Sequence, residues 1–332
     1  MKPSLFMTRE IPKRGLDIIR ENFDVDLWPD EAPPSKEEII KRIRDKQALV
    51  SLLTDPIDEE VINSAPNLRI IAQYAVGFDN IDLKAATKRG IYVTNTPEVL
   101  TETTADFAFA LMLAVARRVV EADKYVRNGK WKVAWHPLMM LGEDVHGRTL
   151  GIVGLGRIGC AVARRARGFN MKILYYDVVR REDMERELGI KYVDLETLLK
   201  ESDFVTIHTP LTPETYHLIG EKQLRMMKKT AFLINTSRGK VVDQKALYKA
   251  LKEGWIAGAA LDVFEQEPIE MDDPLLELEN VVLAPHIASA SHETRSRMAE
   301  IVAENLLAFK RGEIPPTLVN KDVINVRKPG FQ

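Results

Sequence analysis

The stretch Gly154-Leu155-Gly156-Arg157-Ile158-Gly159 limits what this chain can fold into more than any other. Before it runs Thr149-Leu150-Gly151-Ile152-Val153, a short apolar strand pattern, and after it the helix-forming segment Ala161–Arg167. Strand, glycine turn and helix in succession open a parallel βαβ unit. The three glycines suit a tight turn, close backbone approach to a pyrophosphate, and close packing of helix on strand. The helix start adds unpaired N–H groups and a partial positive charge for phosphates. Asp177 stands 23 residues after Gly154, at the end of the next strand pattern, Lys172–Tyr176. A carboxylate there accepts hydrogen bonds from a ribose 2′-OH and repels a 2′-phosphate. A glycine turn alone is a weak signal, and this context turns it into a dinucleotide site.

The rest of the chain repeats the alternation. Ser4–Arg9, Ala48–Leu53, Arg69–Val76 and Ile91–Asn95 are predicted strands, with helical patterns at Ser35–Asp45 and around Glu59–Ser64. A second series adds Asp203–His208, Thr230–Asn235, Gly258–Val263 and Asn280–Ala284. Such alternation predicts parallel sheets covered by helices on both faces. Thr101–Asn128, stopped by Gly129, and Ser291–Arg311, stopped by Gly312 with Pro315-Pro316 beyond, are predicted as two long helices. The fold class expected is α/β, with two Rossmann-like or flavodoxin-like parallel-sheet domains, one inserted into the other. Residues 99–288 are the expected dinucleotide-binding insert, and 1–98 with 289–332 the discontinuous substrate-binding domain.

Bulk properties exclude other classes. A net charge of −2 leaves no basic excess for nucleic acid or an anionic membrane surface. No uninterrupted apolar run reaches about 18 residues, the length needed to span a bilayer. Charges within 1–14 argue against a signal peptide, so a cytoplasmic location is expected. The single cysteine, Cys160, permits no internal disulfide and is expected to pack in the helix after the glycine turn. His136, His146, His217 and His292 show no metal-ligand spacing, and no metal is expected. No Gly-x-Ser-x-Gly elbow or Gly-Lys-Thr phosphate loop is present, which disfavours serine hydrolases and P-loop NTPases.

In an open parallel sheet, reactive side chains lie just beyond the carboxyl ends of strands. Arg238, in Asn235-Thr236-Ser237-Arg238-Gly239, offers a planar fork for a carboxylate. His286, after Val281-Val282-Leu283-Ala284-Pro285, can give a proton to an oxyanion as hydride reaches the adjacent carbon. Glu267, nearby, favours the imidazolium form. His208 also ends a strand and is a rival proton donor, and Asp262 is a rival to Glu267 that can instead line the cofactor pocket. Arg180 and Arg181, downstream of Asp177, can pair with a 2′-phosphate or simply form a solvated helix start.

These segments also carry a resemblance. Tyr74-Ala75-Val76-Gly77-Phe78-Asp79-Asn80-Ile81-Asp82, Val93-Thr94-Asn95-Thr96-Pro97, Gly147–Gly154, Leu233–Gly239, Ala260–Phe264, Glu267-Pro268 and Pro285–Ser289 resemble the D-isomer-specific 2-hydroxyacid dehydrogenases along nearly the whole chain. Within that family the likeness is strongest to the archaeal glyoxylate/hydroxypyruvate reductases. It implies Arg238, Glu267 and His286 as catalytic residues and demotes His208. It implies substrate contacts at Leu53, Val76 and Gly77, beside Arg238 and His286. For the cofactor it implies Thr104, the glycine turn with Leu155, Arg157 and Ile158, the strand end at His208 and Pro210, and Thr236, Ser237, Asp262 and His286–Ala288 around the nicotinamide. It further implies a homodimer through the cofactor domains, with Trp131–Leu141 as an arm and Trp135 either reaching the partner's active site or packing in the interface. The archaeal enzymes can carry a small residue and an arginine where this chain has Asp177-Val178, so NAD(H) is favoured here without excluding NADP(H). No regulatory tail follows before Gln332, which leads to the expectation of a short-chain 2-oxoacid reductase. The expected activity is reduction of glyoxylate, with hydroxypyruvate beside it. Other 2-hydroxyacid, formate, phosphite or D-lactate dehydrogenases, or an NAD-sensing corepressor-type binding protein, are the alternatives.

Overall fold

A computed structural model describes residues 2–332. The chain divides into two units, Met1–Leu100 with Ala290–Gln332, and Thr101–Ser289.

The first unit is built on a five-stranded parallel sheet. Its strands are β1 (Ser4–Met7), β2 (Asp24–Leu27), β3 (Ala48–Ser51), β4 (Ile70–Gln73) and β5 (Tyr92–Thr94), in the order β2-β1-β3-β4-β5. Leu5, Met7, Ile70 and Ala72 point into one apolar cluster, while Phe6, Leu49 and Ile71 point into another. Both faces are therefore buried, which is why these strands read as unbroken apolar runs rather than alternating ones. The helix His292–Lys310 starts at Ser291, whose hydroxyl accepts the Thr294 N–H, and buries Met298, Val302, Leu306 and Phe309 against the first of these clusters. It meets the helix Lys13–Asn22 closely, because a Cβ on Gly15 would overlap Ala299.

The second unit holds seven parallel strands. They are β6 (Thr149–Val153), β7 (Lys172–Tyr176), β8 (Lys191–Tyr192), β9 (Phe204–Ile207), β10 (Phe232–Asn235), β11 (Gly258–Leu261) and β12 (Val281–Leu283). Their order is β12-β11-β10-β9-β6-β7-β8, the doubly wound arrangement that reverses direction between β6 and β9. Ligands of such sheets bind in the crevice at that reversal. The two-domain parallel-sheet expectation therefore holds.

Several elements depart from the sequence expectation. The helix Lys13–Asn22 and edge strand β2 were not foreseen, nor was β8. The long helix expected over Thr101–Asn128 breaks after Ala116, with Arg118 left-handed at φ 55° before a second helix over Val119–Arg127. The cause lies outside the helix. The Glu143 N–H takes the Ala116 carbonyl at 2.9 Å, and Gly142 packs so closely on that carbonyl that a Cβ would overlap it. Among the described residues no helix is long and apolar enough to cross a membrane.

Candidate active site

Consider first the turn after β10. Asn235, 1% exposed, accepts the N–H and the hydroxyl of Ser237 on its Oδ1, at 3.0 and 2.9 Å, and donates its Nδ2 to the Arg238 carbonyl at 2.9 Å. The turn is thus closed by its own side chain. Gly239 then lies directly on the Phe264 carbonyl, where any Cβ would overlap. Only glycine lets the Arg238 turn rest against the segment that leads to Glu267. The Arg238 guanidinium donates to the Ser237 carbonyl at 2.9 Å.

Asp262, immediately after β11, is fully buried. Its two oxygens accept the N–H groups of Ile287 and Ala288, each at 2.8 Å, and its carbonyl accepts the His286 N–H at 2.9 Å. Three hydrogen bonds therefore fold the turn that carries His286, whose φ of 55° is left-handed. That conformation costs a side chain about 1–2 kcal/mol, which these bonds offset. Burial pushes the Asp262 carboxyl up, against the two amides and the His286 charge that favour its ion. Asp262 was expected to line the nicotinamide; here both of its oxygens accept amides of the turn that carries His286.

His286 and Glu267 meet. Nδ1 of His286 lies 2.6 Å from Oε2 of Glu267, and Oε1 of Glu267 accepts the Phe264 N–H at 3.0 Å. Both side chains are about one-quarter exposed, at 25% and 24%. Burial works against the Glu267 ion, but His286, the Phe264 amide and the charge of Arg238 together hold the carboxyl below its usual value. Glu267 therefore stands ionised against Nδ1, which leaves Nε2 of His286 for a reacting oxygen. His208 is a different case. Its Nε2 lies 2.9 Å from the Thr206 hydroxyl, and desolvation pushes the imidazole down to about 3, so it is a poor proton donor at neutral pH.

The glycine turn lies at the reversal of the sheet. Gly154 has φ 94°, and a Cβ there would press on the His208 carbonyl and Thr209. A Cβ on Gly159 would overlap the Gly154 carbonyl, so helix Arg157–Gly168 comes down tightly on the turn. A Cβ on Gly156 would meet nothing within 4 Å, and no side chain caps the helix that Gly156 starts. Open space thus lies beside Gly156 at the start of that helix. Leu155, in contrast, is buried and its N–H is taken by Asp177 Oδ2 at 2.6 Å, so that amide is not open to a phosphate. Asp177 Oδ1 also accepts the Val179 N–H at 3.1 Å, which holds the half-buried carboxylate at the rim.

Two buried hydroxyls at neighbouring strand ends, Thr209 Oγ1 and Thr236 Oγ1, have no hydrogen-bond partner among the described residues. Orphaned donors of this kind, beside an open glycine and an uncapped helix start, fit a dinucleotide. Thr236 was foreseen. Thr209 was not, although it sits between His208 and Pro210, which were. Thr104 is buried in the first turn of helix Thr101–Ala116. Arg180 grips Glu185 through two nitrogens at 2.8 and 2.9 Å, and Arg181 grips Asp183 at 2.9 and 2.7 Å. Those arginines hold Glu185 and Asp183 down to about 2. Both guanidiniums, expected beside the cofactor, are paired within their own segment.

In the first unit, Leu53 follows β3 and Val76-Gly77 follow β4, all half-buried. The Val76 carbonyl accepts Asn95 Nδ2 at 2.8 Å and the Gly77 carbonyl accepts Gln73 Nε2 at 3.3 Å, which fixes that loop. Trp135 is 77% exposed on a segment without regular structure. One cluster was not anticipated at all. His217, Asp243 and Glu265 come together, although nothing in their spacing announces it.

Residues 109–288 match the family model described as the D-isomer specific 2-hydroxyacid dehydrogenase, NAD binding domain. The chain is 78% identical to a glyoxylate reductase of Korarchaeum cryptofilum over 332 residues, covering 100% of both proteins. It is similar to a solved structure from Thermus thermophilus, with 48% identity, TM-score 0.90, and 95% and 99% of the two chains covered. It is also similar to the NADPH-dependent glyoxylate/hydroxypyruvate reductase of Sinorhizobium meliloti, solved with NADP and malonate, at 36% identity and TM-score 0.86, over 96% and 97% of the chains.

Proposed function

Because the chain belongs to the D-isomer specific 2-hydroxyacid dehydrogenase family, we propose that it reduces glyoxylate, and hydroxypyruvate beside it, to the 2-hydroxyacid. The observation that carries the chemistry is the 2.6 Å contact of His286 with an ionised Glu267, with the charge of Arg238 acting on the same carboxylate. A bound nicotinamide dinucleotide supplies the hydride. Arg238 binds the 2-oxoacid carboxylate through its planar fork and so turns C2 toward the donor. His286, held at Nδ1 by Glu267, gives its Nε2 proton to the carbonyl oxygen as that oxygen gains charge. Glu267 keeps the ring in place and stabilises its protonated form. The unit Thr101–Ser289 would bind the cofactor.

Gly156, Arg157, Ile158, Thr209 and Thr236 would hold the dinucleotide. NADH is the preferred donor: a carboxylate at the end of the second strand repels a 2′-phosphate, and pairing of Arg180 and Arg181 within their own segment supports this reading. The enzyme acts as a cytoplasmic homodimer. Helix Val119–Arg127 buries none of its residues, and the segment after it exposes Trp131, Val133, Trp135, Leu138 and Leu141 by 52–77%. Such an apolar surface suits a second copy of the chain. Steady-state oxidation of NADH and of NADPH over a panel of 2-oxoacids tests the activity. Glyoxylate-dependent turnover is expected with both, with the higher kcat/KM for NADH, and no turnover with any 2-oxoacid would refute it.

A further inference from the structure

His217 is far in sequence from the catalytic residues, yet it joins the two segments that carry them. Its backbone is left-handed, at φ 50°. Its N–H donates to the Lys240 carbonyl at 2.9 Å, two residues past Arg238. From there the chain continues as a short parallel bridge, Ile219 to Val242, with the Ile219 N–H on the Val241 carbonyl and the Asp243 N–H on the Ile219 carbonyl. The ring reaches the other way, Nε2 lying 2.9 Å from Oε1 of Glu265, two residues before Glu267.

Glu265 is held on every side. Its Oε1 also accepts the Gln244 N–H at 2.9 Å, and its own N–H donates to Gln244 Oε1 at 3.0 Å. Glu265 follows Phe264, whose carbonyl lies against Gly239 and whose N–H binds Oε1 of Glu267. A continuous path thus runs from His217 through Glu265 and Phe264 to Glu267, and on to His286. Nδ1 of the ring lies 3.9 Å from Asp243, while Nε2 is bound to Glu265. Asp243 is itself engaged, its Oδ1 capping helix Gln244–Lys252 at the Ala246 N–H.

We propose that His217 is a positioning residue for this reaction, whose side chain clamps Glu265 and so fixes the carboxylate of Glu267 against His286. The proposal rests on the catalytic roles given above to Arg238, Glu267 and His286. It makes a division that a general structural role does not. The hydrogen bond to Lys240 belongs to the backbone and survives a change of side chain, so Arg238 and the grip on the 2-oxoacid stay in place. The bond to Glu265 belongs to the ring and is lost, so proton delivery suffers.

His217→Asn tests this, because asparagine accepts a left-handed φ but is too short to reach Glu265. A displacement on the ångström scale can cost up to about 100-fold in rate, and a loss in kcat of about tenfold is expected here. KM for glyoxylate is expected to stay within about twofold, since uniform binding is untouched. Glu265→Ala is expected to match that loss, and the double variant to fall no further than the worse single one. Glu265→Gln keeps the acceptor for His217 and Gln244 and is expected to recover most of kcat. Unchanged kcat in His217→Asn, additive losses in the double variant, or a rise in KM with kcat intact would each overturn the proposal. His286→Ala, assayed in parallel, separates two failures. If it keeps full turnover, the catalytic roles themselves fall; if it is inactive while His217→Asn is unaffected, only the clamp falls.

Discussion

Two aspartates in the second sheet do the same local work and end with different consequences. Asp177 follows β7 and Asp262 follows β11, and each accepts two backbone N–H groups from a turn. Asp177 binds Leu155 and Val179 and stays half-exposed. Asp262, fully buried, accepts the Ile287 and Ala288 amides of the turn that carries His286. The hydrogen-bond pattern alone does not separate a ligand contact from a folding post. Burial is the difference between them: Asp262 supports the turn of His286 from the interior, whereas Asp177 sits half-exposed beside the glycine turn, where a ribose contact is proposed.

That contrast can be broken by substitution. Asp262→Ala leaves two amides unpaired, the buried one of Ala288 at about 1–3 kcal/mol, and releases the His286 turn. A drop in unfolding free energy together with a loss of about 100-fold in kcat is expected by denaturation and kinetics. Turnover that survived with only the KM for NADH altered would make Asp262 a ligand residue after all.

Glu267→Gln sharpens the same corner. The carboxyl of Glu267 lies below its usual value despite burial, so its ion stabilises the fold above the ordinary carboxylate range and the benefit fades as pH falls through the lowered value. The stability gap between wild type and Glu267→Gln is therefore expected at pH 7 and expected to close in acid, with kcat about tenfold lower at neutral pH. A gap that widened in acid would reverse the sign.

At the other aspartate the effect is smaller and concerns choice rather than rate. Asp177→Ala is expected to shift the ratio of kcat/KM for NADPH over NADH upward by about tenfold, with global stability little changed. Destabilisation on the scale of Asp262→Ala would erase the distinction drawn from burial. Least of all, Arg180→Ala is expected to leave that ratio within about twofold, because its guanidinium is held by Glu185 at the surface.

Much of this site was legible because its residues follow strands. The glycine turn, Asp177, Arg238, Glu267 and His286 each stand within a few residues of an apolar run, and the direction of a parallel sheet sends them to one edge. What stayed hidden was decided by tertiary contact. Asp24-Val25-Asp26-Leu27 is a half-exposed edge strand with acidic residues, and no apolar run marks it. Helix formers continue through Arg117-Arg118, but Gly142 and Glu143 end the helix from outside. For Asp262, sequence gives its place at a strand end but not its burial or its grip on the Ile287 and Ala288 amides. His217 belongs to no motif, and only the folded chain brings its ring to Glu265.

Proton delivery by His286 is tested most directly with His286→Ala, measuring glyoxylate reduction by NADH beside the Kd for NADH. General acid catalysis contributes about 10²–10⁴ in rate, so a loss of that size in kcat with an unchanged Kd is expected. Turnover near the wild-type value with cofactor binding intact would contradict it.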